Sequence, residues 1–493
     1  MKLGHRFFLI NRAVVIAAIL VAPMVAETAD LPLVGDTRPN IVLIVTDQQR
    51  SSAMSCAGNT HLQTPAMDSL AARGTRFARA YATYPLCTPS RASLATSRMP
   101  YELGISINDQ RLPAAYYSNP VDYPSLGTLF QSAGYRTVWA GRWHVPTTYP
   151  AHSPNASGEI PGFELLAFAK VLPGESIWEG KGSSYDGEVA AAAAEFIHTQ
   201  VGQQQPFLLS VQFLNPHDII NFTVDTPKDP AELIPTVRLP ALPNNLSAPD
   251  MGAWGKRVTV QYGLNWNNPT FRQMLYVYYR LTEVVDNEVG VVLQALRDAN
   301  LEDNTVILYT SDHGEMGGSH RRFGKQSLYQ EATMVPFILA GPGVPAGGLD
   351  RHLVSGLDVL PTLCDFAGIP LHPSLRGMSV KPLFTDANAP WRDAVYSVTS
   401  TNQRMVRTAQ YKYLRVSKIN ALETKDALYD LWNDPGEQTN LAAVPEMQAV
   451  LNNHRILLYR WLLDTGDRFV NPAAGDAADL EFINIVNQLL GAN

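Results

Sequence analysis

The strongest constraint on the fold is a series of strand-like apolar runs that alternate with helical segments. Residues 40–46, NIVLIVT, form a continuous run of apolar and β-branched residues, typical of a strand buried on both faces. Comparable runs follow predicted helices further along the chain: RTVWAG, PFLLSVQFL and TVILYTS. This alternation predicts an α/β fold with a large, mainly parallel sheet sandwiched by helices.

The pattern changes near residue 385, where short strand-like segments begin and a final helix follows them. These segments are DAVYSVTS, QRMVRTAQYKYLRVS and ALYDL. A chain of 493 residues also exceeds what one small core uses. We therefore predict a large domain over residues 36–385 and a smaller C-terminal α+β domain over residues 386–493. Residues 219–268, which are rich in Pro and Asn, predict a long surface excursion such as a lid or a substrate-contacting insertion.

Residues 1–29 have the pattern of a secretory signal peptide. Lys2, Arg6 and Arg12 form a basic start, and an apolar stretch of about 14 residues, AVVIAAILVAPMVA, follows. A membrane span needs roughly 20 apolar residues, so an uncleaved anchor is the weaker alternative. We expect a secreted or periplasmic protein with no stable membrane insertion after signal cleavage. The net charge of −7 and the lack of a long basic run give no sign of a nucleic-acid partner.

The chain has only three cysteines, which cannot form a disulfide framework, and it has no CxxC pair that would indicate zinc. Cys56 and Cys364 lie in apolar settings and are interpreted as buried thiols, with a disulfide between them as the alternative. Cys87 differs, because it lies in a short turn directly before a Pro-Ser-Arg run. In an oxidising compartment an odd exposed cysteine is a liability unless it is buried, paired or chemically changed.

Acidic residues follow two of the predicted strands, Asp47 after NIVLIVT and Asp312 after VILYTS, with Gln48 and His313 beside them. Ligands collect at the carboxyl ends of strands in open α/β sheets, and carboxylates there suit Ca²⁺ or Mg²⁺. Taken singly, each Asp also fits a helix or turn cap. Five basic residues are further candidates, and most of them follow a strand end or a glycine-bounded turn: Arg91, Arg142, His144, His217 and Lys325. Taken singly, Arg91 also fits a solvated helix residue, His217 a turn residue and Lys325 a surface lysine. A metal ion beside such cations suits a tetrahedral oxyanion ester.

The run CTPSRASLATSR resembles the signature of the sulfatase family, in which Cys-x-Pro-Ser-Arg directs oxidation of the cysteine to formylglycine. The segments PNIVLIVTDQQR, GYRTVWAGRWH, NPHD, LEDNTVILYTSDHGE, FGKQSLYQEATMVPFILAGPG and YKYLRV…ALYDLWNDPGEQTNLA occur in the family's order, so the resemblance covers nearly all of the mature chain. It implies an alkaline phosphatase-like fold with residues 36–385 as the catalytic sulfatase domain. It also implies hydrolysis of a small-molecule or glycan sulfate monoester through a formylglycine hydrate. A formylglycine-generating or sulfatase-maturing enzyme would make that group from Cys87.

The resemblance also implies a role for each candidate residue. Arg91 would support the formylglycine hydrate, and Arg142 would take the second cationic, sulfate-binding position. His144 would deprotonate the hemiacetal. His217 would protonate the leaving oxygen, and Lys325 would bind sulfate and assist. One divalent ion, usually Ca²⁺ with Mg²⁺ as the alternative, would be held by Asp47, Gln48, Asp312 and His313.

Three positions depart from the family's usual pattern. Gln48 stands where the family often has a second Asp, Arg142 replaces the Lys of Gly-Lys-Trp-His, and Ser97 replaces the glycine before the last arginine of the signature. Arginine presents a planar fork rather than a compact ammonium, so it is not an automatic equivalent of lysine. Two other readings remain open. One is a phosphonate or phosphate ester hydrolase of the same superfamily, which would generally carry a second metal. The other is a binding protein that has lost catalysis.

Overall fold

The computed structural model describes residues 36–108, 110–145, 160–166, 182–223, 239–249, 268–386, 388–399, 402–417, 425–471 and 479–491. The described residues from Arg38 onward belong to one compact unit. The predicted signal peptide, residues 1–29, lies outside the described residues, as does most of the predicted insertion over residues 219–268. Among the described helices, none combines the length and apolar character that crossing a membrane requires.

The described strands and helices follow the alternation expected from the sequence. The strands are β1 (Asn40–Asp47), β2 (Gly74–Phe77), β3 (Ala80–Tyr81), β4 (Arg136–Gly141), β5 (Glu164–Leu165), β6 (Phe207–Pro216), β7 (Thr305–Ser311), β8 (Phe337–Ala340), β9 (Gly348–Asp350), β10 (Val354–Ser355), β11 (Val395–Thr399), β12 (Gln403–Arg407), β13 (Tyr411–Val416) and β14 (Lys425–Asp430). The helices are α1 (Pro65–Arg73), α2 (Cys87–Thr96), α3 (Ala115–Ser118), α4 (Leu126–Ser132), α5 (Gly182–Thr199), α6 (Asn268–Asp298), α7 (Gln330–Thr333), α8 (Val359–Phe366), α9 (Gln448–Asp464) and α10 (Leu480–Leu490).

An eight-stranded sheet with the order β5-β4-β6-β1-β7-β8-β2-β9 forms the centre of the larger part. Strand β1 runs parallel to both β6 and β7, and β4 runs parallel to β6, whereas β8 is antiparallel to β7 and β2. Successive residues of β1 alternate between the two faces. Val42 and Ile44 pack in the core under α1, α5 and α6, and Ile41 and Leu43 pack in the core under α4 and α8. The predicted mainly parallel sheet between two helical layers is confirmed.

The C-terminal part contains a four-stranded antiparallel sheet with the order β11-β12-β13-β14. On one side of it, Val406 and Tyr413 pack in a core shared with α9 and α10. On the other side, Met405 and Leu414 pack against residues that follow β7, including Leu328. The smaller α+β part is therefore confirmed, and its sheet supports a segment of the larger part. The limits 36–385 and 386–493 stay predictions.

The cysteines outside the CTPSR run lie on opposite faces of the large sheet. Cys364 is buried in the core under α4 and α8, whereas Cys56 is half-buried against the core under α1, α5 and α6. All three cysteines are free thiols. The interpretation as a buried thiol is confirmed for Cys364, whereas Cys56 is a thiol that is only half-buried. The alternative of a disulfide between Cys56 and Cys364 is wrong, because the sheet separates them.

Candidate active site

The candidate residues meet where four neighbouring parallel strands end. Asp47 is the last residue of β1, and Arg142, His217 and Asp312 directly follow β4, β6 and β7. Because β4, β6, β1 and β7 are adjacent in the sheet, their carboxyl ends form one edge. The backbone amide of Gln48 donates to Asp312 Oδ1 at 3.1 Å, which joins the ends of β1 and β7.

A buried cluster of metal-ligating groups lies at this edge: Asp47, Cys87, Asp312 and His313. One ligating atom from each lies within 4.8 Å of the others, so the cluster could hold a metal ion. His313 Nε2 lies 3.7 Å from Asp47 Oδ1 and 3.6 Å from Asp312 Oδ1. The other ring nitrogen, Nδ1, lies 3.0 Å from the carbonyl oxygen of Gly314, a contact that leaves the Nε2 lone pair for a ligand. Burial lowers the pKa of His313 to about 4, although Asp312 opposes this, so the imidazole is neutral near pH 7.

The side chain of Gln48 adds an oxygen of the kind that hard cations prefer. Gln48 is buried, and its Oε1 has no hydrogen-bond partner among the described residues. Its backbone is left-handed, with φ 69°, a conformation that costs a non-glycine residue roughly 1–2 kcal/mol. Gln48 directly follows Asp47 and its backbone amide contacts Asp312, so its unpartnered oxygen would complete a ligand set of two carboxylates and a neutral imidazole that suits Ca²⁺ or Mg²⁺.

Cys87 is the first residue of α2 and is fully buried at the centre of the cluster. Its Sγ lies 2.9 Å from Lys325 Nζ, 3.3 Å from His313 Nε2 and 3.6 Å from Asp47 Oδ1. Burial, and then the charge of Asp47, raise the pKa of the Cys87 thiol to about 11 although Lys325 opposes them. Near neutral pH an unmodified Cys87 is therefore a protonated thiol and a weak nucleophile.

Arg91 lies one helical turn after Cys87 and joins the two carboxylates. Its Nε is 3.0 Å from Asp312 Oδ2, and its Nη2 is 3.0 Å from Asp47 Oδ2. Its Nη1 donates to the carbonyl oxygen of Arg142 at 3.1 Å and to Gln212 Oε1 at 2.9 Å. Arg91 thus holds one oxygen of each carboxylate and leaves the Oδ1 atoms facing Cys87 and His313.

The remaining cationic candidates surround Asp47. Arg142 Nη1 lies 3.2 Å from Asp47 Oδ2, and Arg142 Nη2 lies 2.9 Å from His144 Nδ1. His217 Nε2 and Lys325 Nζ each lie 4.0 Å from Asp47 Oδ1. Every residue singled out in the sequence is therefore brought to this one edge of the sheet, and Arg142 contacts both Asp47 and His144.

Electrostatics at this edge favour a bound anion. Burial alone would raise the pKa of Asp47, but Arg142, His217, Lys325 and Arg91 outweigh it and hold the pKa well below its usual range. Burial, and then Arg142, lower the pKa of His144, whereas burial and then Lys325 lower that of His217. Beyond burial, Arg142 and Lys325 contribute to both shifts, so positive charge lies near the two histidines and an anion there would stabilise their protonated forms.

Three contributors were not identified from the sequence. Gln212 in β6 accepts from Arg91 and is a polar residue inside the apolar run PFLLSVQFL, where a buried polar side chain needs a partner. Thr88 Oγ1 donates to the carbonyl oxygen of His144 at 2.5 Å and so holds the left-handed backbone of His144, φ 54°. Glu315 accepts from Gln48 Nε2 at 2.6 Å and lies in SDHGE, two residues after a candidate ligand. Burial raises the pKa of Glu315, and hydrogen bonds from Gly317, Gly324 and Gln48 oppose that.

Comparison with known proteins decides the family. The model of the Sulfatase family matches residues 39–369. The chain belongs to the sulfatase family. A second model, described as N-sulphoglucosamine sulphohydrolase, C-terminal, matches residues 318–460 of the sulfatase. As a member of this family, the protein is a sulfuric ester hydrolase.

Relatives of this sulfatase match it over most of their length. Delta 4,5-hexuronate-2-O-sulfatase of Bacteroides thetaiotaomicron is 31% identical over 457 residues, which cover 88% of this chain and 90% of that protein. An ulvan-active sulfatase of Formosa agariphila is 27% identical over 460 residues, which cover 88% of this chain and 83% of that protein. A solved structure described as a 2-O GAG sulfatase has a TM-score of 0.72 at 28% identity, covering 91% of this chain and 96% of that chain.

Ser97 is a departure from the family pattern that this sulfatase accommodates locally. It follows α2 with a left-handed backbone, φ 53°, where glycine is the usual residue. Its buried hydroxyl donates to the carbonyl oxygen of Leu357 at 2.7 Å and accepts from the backbone amide of Gly377 at 2.9 Å. These two hydrogen bonds offset the backbone strain that a side chain incurs there.

Substitution of Ser97 tests this balance. Ser97→Ala keeps the strain and loses both hydrogen bonds, so we expect the free energy of unfolding to fall by about 2 kcal/mol. Ser97→Gly also loses both hydrogen bonds but relieves about 1 kcal/mol of backbone strain, so its free energy of unfolding should fall by about 1 kcal/mol. Denaturant unfolding of the wild type and the two variants measures their order of stability. A Ser97→Ala protein as stable as the wild type would contradict the explanation.

Proposed function

We propose that this sulfatase hydrolyses a sulfate monoester through a formylglycine hydrate derived from Cys87, with one divalent cation held by Asp47, Gln48, Asp312 and His313. The observation that carries the proposal is the position of Cys87. Cys87 begins a buried helix, and its Sγ contacts two potential cation ligands, Asp47 and His313, and the Lys325 ammonium. A group at this position would meet both a metal ion and a cation suited to sulfate.

The modified residue and the cation would each supply one element of the chemistry. A hydrated aldehyde has two hydroxyls on one carbon, so that one can attack sulfur and the other allows release of sulfate. A divalent cation supplies positive charge for the attacking and sulfate oxygens. Around them, Arg91 would hold Asp47 and Asp312 in place, and Lys325 would bind the sulfate.

The two histidines are proposed to move protons. A guanidinium only donates, so His144 Nδ1 accepts from Arg142 Nη2, and the proton of neutral His144 is on Nε2. A sulfate oxygen that attracts Arg142 would free Nδ1, and His144 could then take up a proton at that atom. His217 would donate a proton to the leaving oxygen. The negative charge of bound sulfate would offset the burial and the Lys325 charge that lower the pKa of His217.

We further propose that the natural substrate is a sulfated carbohydrate, because the relatives of the chain include a hexuronate-2-O-sulfatase, an ulvan-active sulfatase and a 2-O GAG sulfatase. The test is release of sulfate from a panel of 2-O-sulfated unsaturated uronate disaccharides, other sulfated sugars, aryl and alkyl sulfates, and phosphate and phosphonate esters. We expect the highest kcat/KM on a sulfated sugar. A preference for the phosphate or phosphonate esters would contradict the proposed reaction, and a preference for aryl or alkyl sulfates would contradict the substrate class.

Export is a separate proposal and rests on the basic and apolar N-terminal residues alone. We propose that residues 1–29 act as a signal peptide and that the mature protein is secreted or periplasmic. Fractionation of expressing cells and N-terminal sequencing of the product would test it. A cytoplasmic product that begins at Met1 would contradict it.

Replacement of Arg142 tests its proposed contact with sulfate. Arg142 uses two nitrogens at once, on Asp47 and on His144, and a lysine ammonium is too compact to bridge both. One charge-assisted hydrogen bond contributes about 1.5–3 kcal/mol, and a factor of ten in rate corresponds to about 1.4 kcal/mol. We therefore expect Arg142→Lys to lower kcat/KM about 10-fold and Arg142→Ala to lower it about 100-fold or more.

Steady-state kinetics on the best substrate measure these effects and separate kcat from KM. Arg136→Lys is the matched control, since Arg136 begins the same strand and forms an exposed pair with Glu164 at 3.1 Å. That variant should keep wild-type kinetics. Near-wild-type turnover in Arg142→Ala would remove Arg142 from the proposed site.

A further inference from the structure

Glu315 is a buried carboxylate that contacts two parts of the site at once. Its Oε2 accepts from Gln48 Nε2 at 2.6 Å. Its Oε1 accepts from the backbone amides of Gly317 at 3.0 Å and Gly324 at 2.6 Å. Gly324 directly precedes Lys325, whose ammonium contacts Cys87. The carboxylate therefore joins the end of β1 to the segment that carries Lys325.

The hydrogen bond to Glu315 decides which way the Gln48 amide faces. The oxygen and nitrogen of an amide are nearly equal in size, so their partners determine the orientation. Three N–H donors surround the two oxygens of Glu315 and favour its ionised form, which accepts and does not donate, so Nε2 faces Glu315 and Oε1 faces away. That oxygen is buried and has no hydrogen-bond partner among the described residues. A cation next to Asp47 and Asp312 would satisfy it.

We propose that Glu315 is a positioning residue, which fixes the Gln48 amide with its oxygen as a cation ligand and holds the backbone before Lys325. This inference rests on the proposed function, since it concerns the same cation. It also accounts for glutamine at position 48. An aspartate there would bring a second carboxylate toward Glu315, whereas the glutamine amide donates to Glu315. The negative charge absent from position 48 is thus supplied by the group behind the ligand.

An outer carboxylate of this kind affects metal affinity in two ways. It removes the alternative amide orientation, which would direct an N–H group at the cation. It also polarises the amide, which increases the negative charge on Oε1. Loss of a hydrogen-bond partner behind a metal ligand typically lowers metal affinity 10- to 100-fold.

The variant Glu315→Gln tests the inference with almost no change of shape. The backbone amides of Gly317 and Gly324 need an acceptor, so the new oxygen stays with them and the new NH₂ faces Gln48. The Gln48 amide then turns over and presents its nitrogen to the cation. We expect Ca²⁺ affinity to fall about 10- to 100-fold, as measured by calorimetry or chelator competition.

The double variant Gln48→Glu with Glu315→Gln is the matched rescue. The new carboxylate at position 48 accepts from the new amide at position 315 and offers its second oxygen to the cation. We expect Ca²⁺ affinity equal to or tighter than that of the wild type. Glu283→Gln is the control, because Glu283 is a half-buried carboxylate of α6 that accepts from the backbone amide of Gln63 at 2.7 Å, outside this cluster. The Ca²⁺ affinity of this control variant should equal that of the wild type. Melting curves without Ca²⁺ establish that each variant is folded.

The outcomes separate the inference from the proposed function. If the wild type binds Ca²⁺ and Glu315→Gln binds it equally well, the inference is overturned and the proposed function stands. If Glu315→Gln loses affinity and the double variant does not regain it, Glu315 is not a positioning residue for Gln48. If Glu315→Gln does not fold, the double variant alone decides, and a folded double variant with weak affinity overturns the inference. A wild type that binds no divalent cation overturns both.

Discussion

Cys87→Ser should lower steady-state sulfate release by about 10⁴-fold or more, the scale seen when an enzyme loses its nucleophile. A serine side chain at this position has one hydroxyl, which can attack sulfur and form a sulfate ester. It has no second hydroxyl on the same carbon, so nothing releases the sulfate from that ester. We expect at most one turnover per molecule and a trapped sulfate ester on the protein. An assay of released sulfate measures the number of turnovers, and intact-protein mass spectrometry detects the trapped sulfate ester.

The wild-type protein provides the positive half of this experiment. When it is made together with a maturing enzyme, a peptide containing position 87 should lose the thiol sulfur and gain an aldehyde. Cys56→Ala is the matched control, because Cys56 packs against the core under α1, α5 and α6, away from the site, and this variant should keep full activity. Steady turnover in Cys87→Ser, or a fully active wild type with an unmodified thiol, would contradict the formylglycine mechanism.

Asp312→Ala should abolish cation binding and with it most activity. Asp312 is fully buried, and its carboxylate contacts three donors. These are Arg91 Nε at 3.0 Å and the backbone amides of Gln48 at 3.1 Å and His313 at 2.8 Å. Its removal deletes a charged oxygen ligand and leaves the buried Arg91 with one carboxylate. Breaking a buried ion pair in this way lowers the free energy of unfolding by about 3–5 kcal/mol. We expect kcat/KM to fall about 10³-fold or more.

Metal analysis and melting curves measure this effect independently of activity. Ca²⁺ at about 100 times its Kd should stabilise the wild type by about 2.7 kcal/mol, and it should not stabilise Asp312→Ala. Asp365→Ala is the control, since Asp365 lies on α8 and pairs with Lys381 at 3.4 Å. It should keep the response to Ca²⁺. Two zinc ions per wild-type chain would instead favour the phosphate ester reading.

Much of the fold follows from local pattern. The run NIVLIVT predicted β1 because a strand covered on both faces needs apolar side chains at every position, and β1 is buried along its whole length. The change of pattern near residue 385 predicted the smaller part, since its antiparallel strands are short and separated by turns. The disulfide alternative was wrong because sequence separation does not reveal which face of a sheet a cysteine occupies.

The residues that meet at the site could also be predicted from the sequence, because their chemical types and their positions at strand ends and turns are visible there. Asp47 ends β1 and Asp312 directly follows β7, and the α/β pattern makes these strands parallel, so the meeting of the two acids follows from chain direction. Cys87, Arg91, Arg142 and Lys325 were candidates because of their turns and strand ends, and only the resemblance to a family gave each of them a role. Their roles in catalysis stay predictions.

The partners of these residues depend on packing between distant parts of the chain. Gln48 and Glu315 are 267 residues apart, and they meet because β1 lies beside β7 and the chain folds back after β7. The same neighbour relations set the contact of Arg142 with Asp47 and the contact of Thr88 with His144. Amino-acid identity and period specify strands, helices and chemical types because these are local properties. Hydrogen-bond partners and amide orientation are specified by strand order and burial, which exist only once the chain has packed.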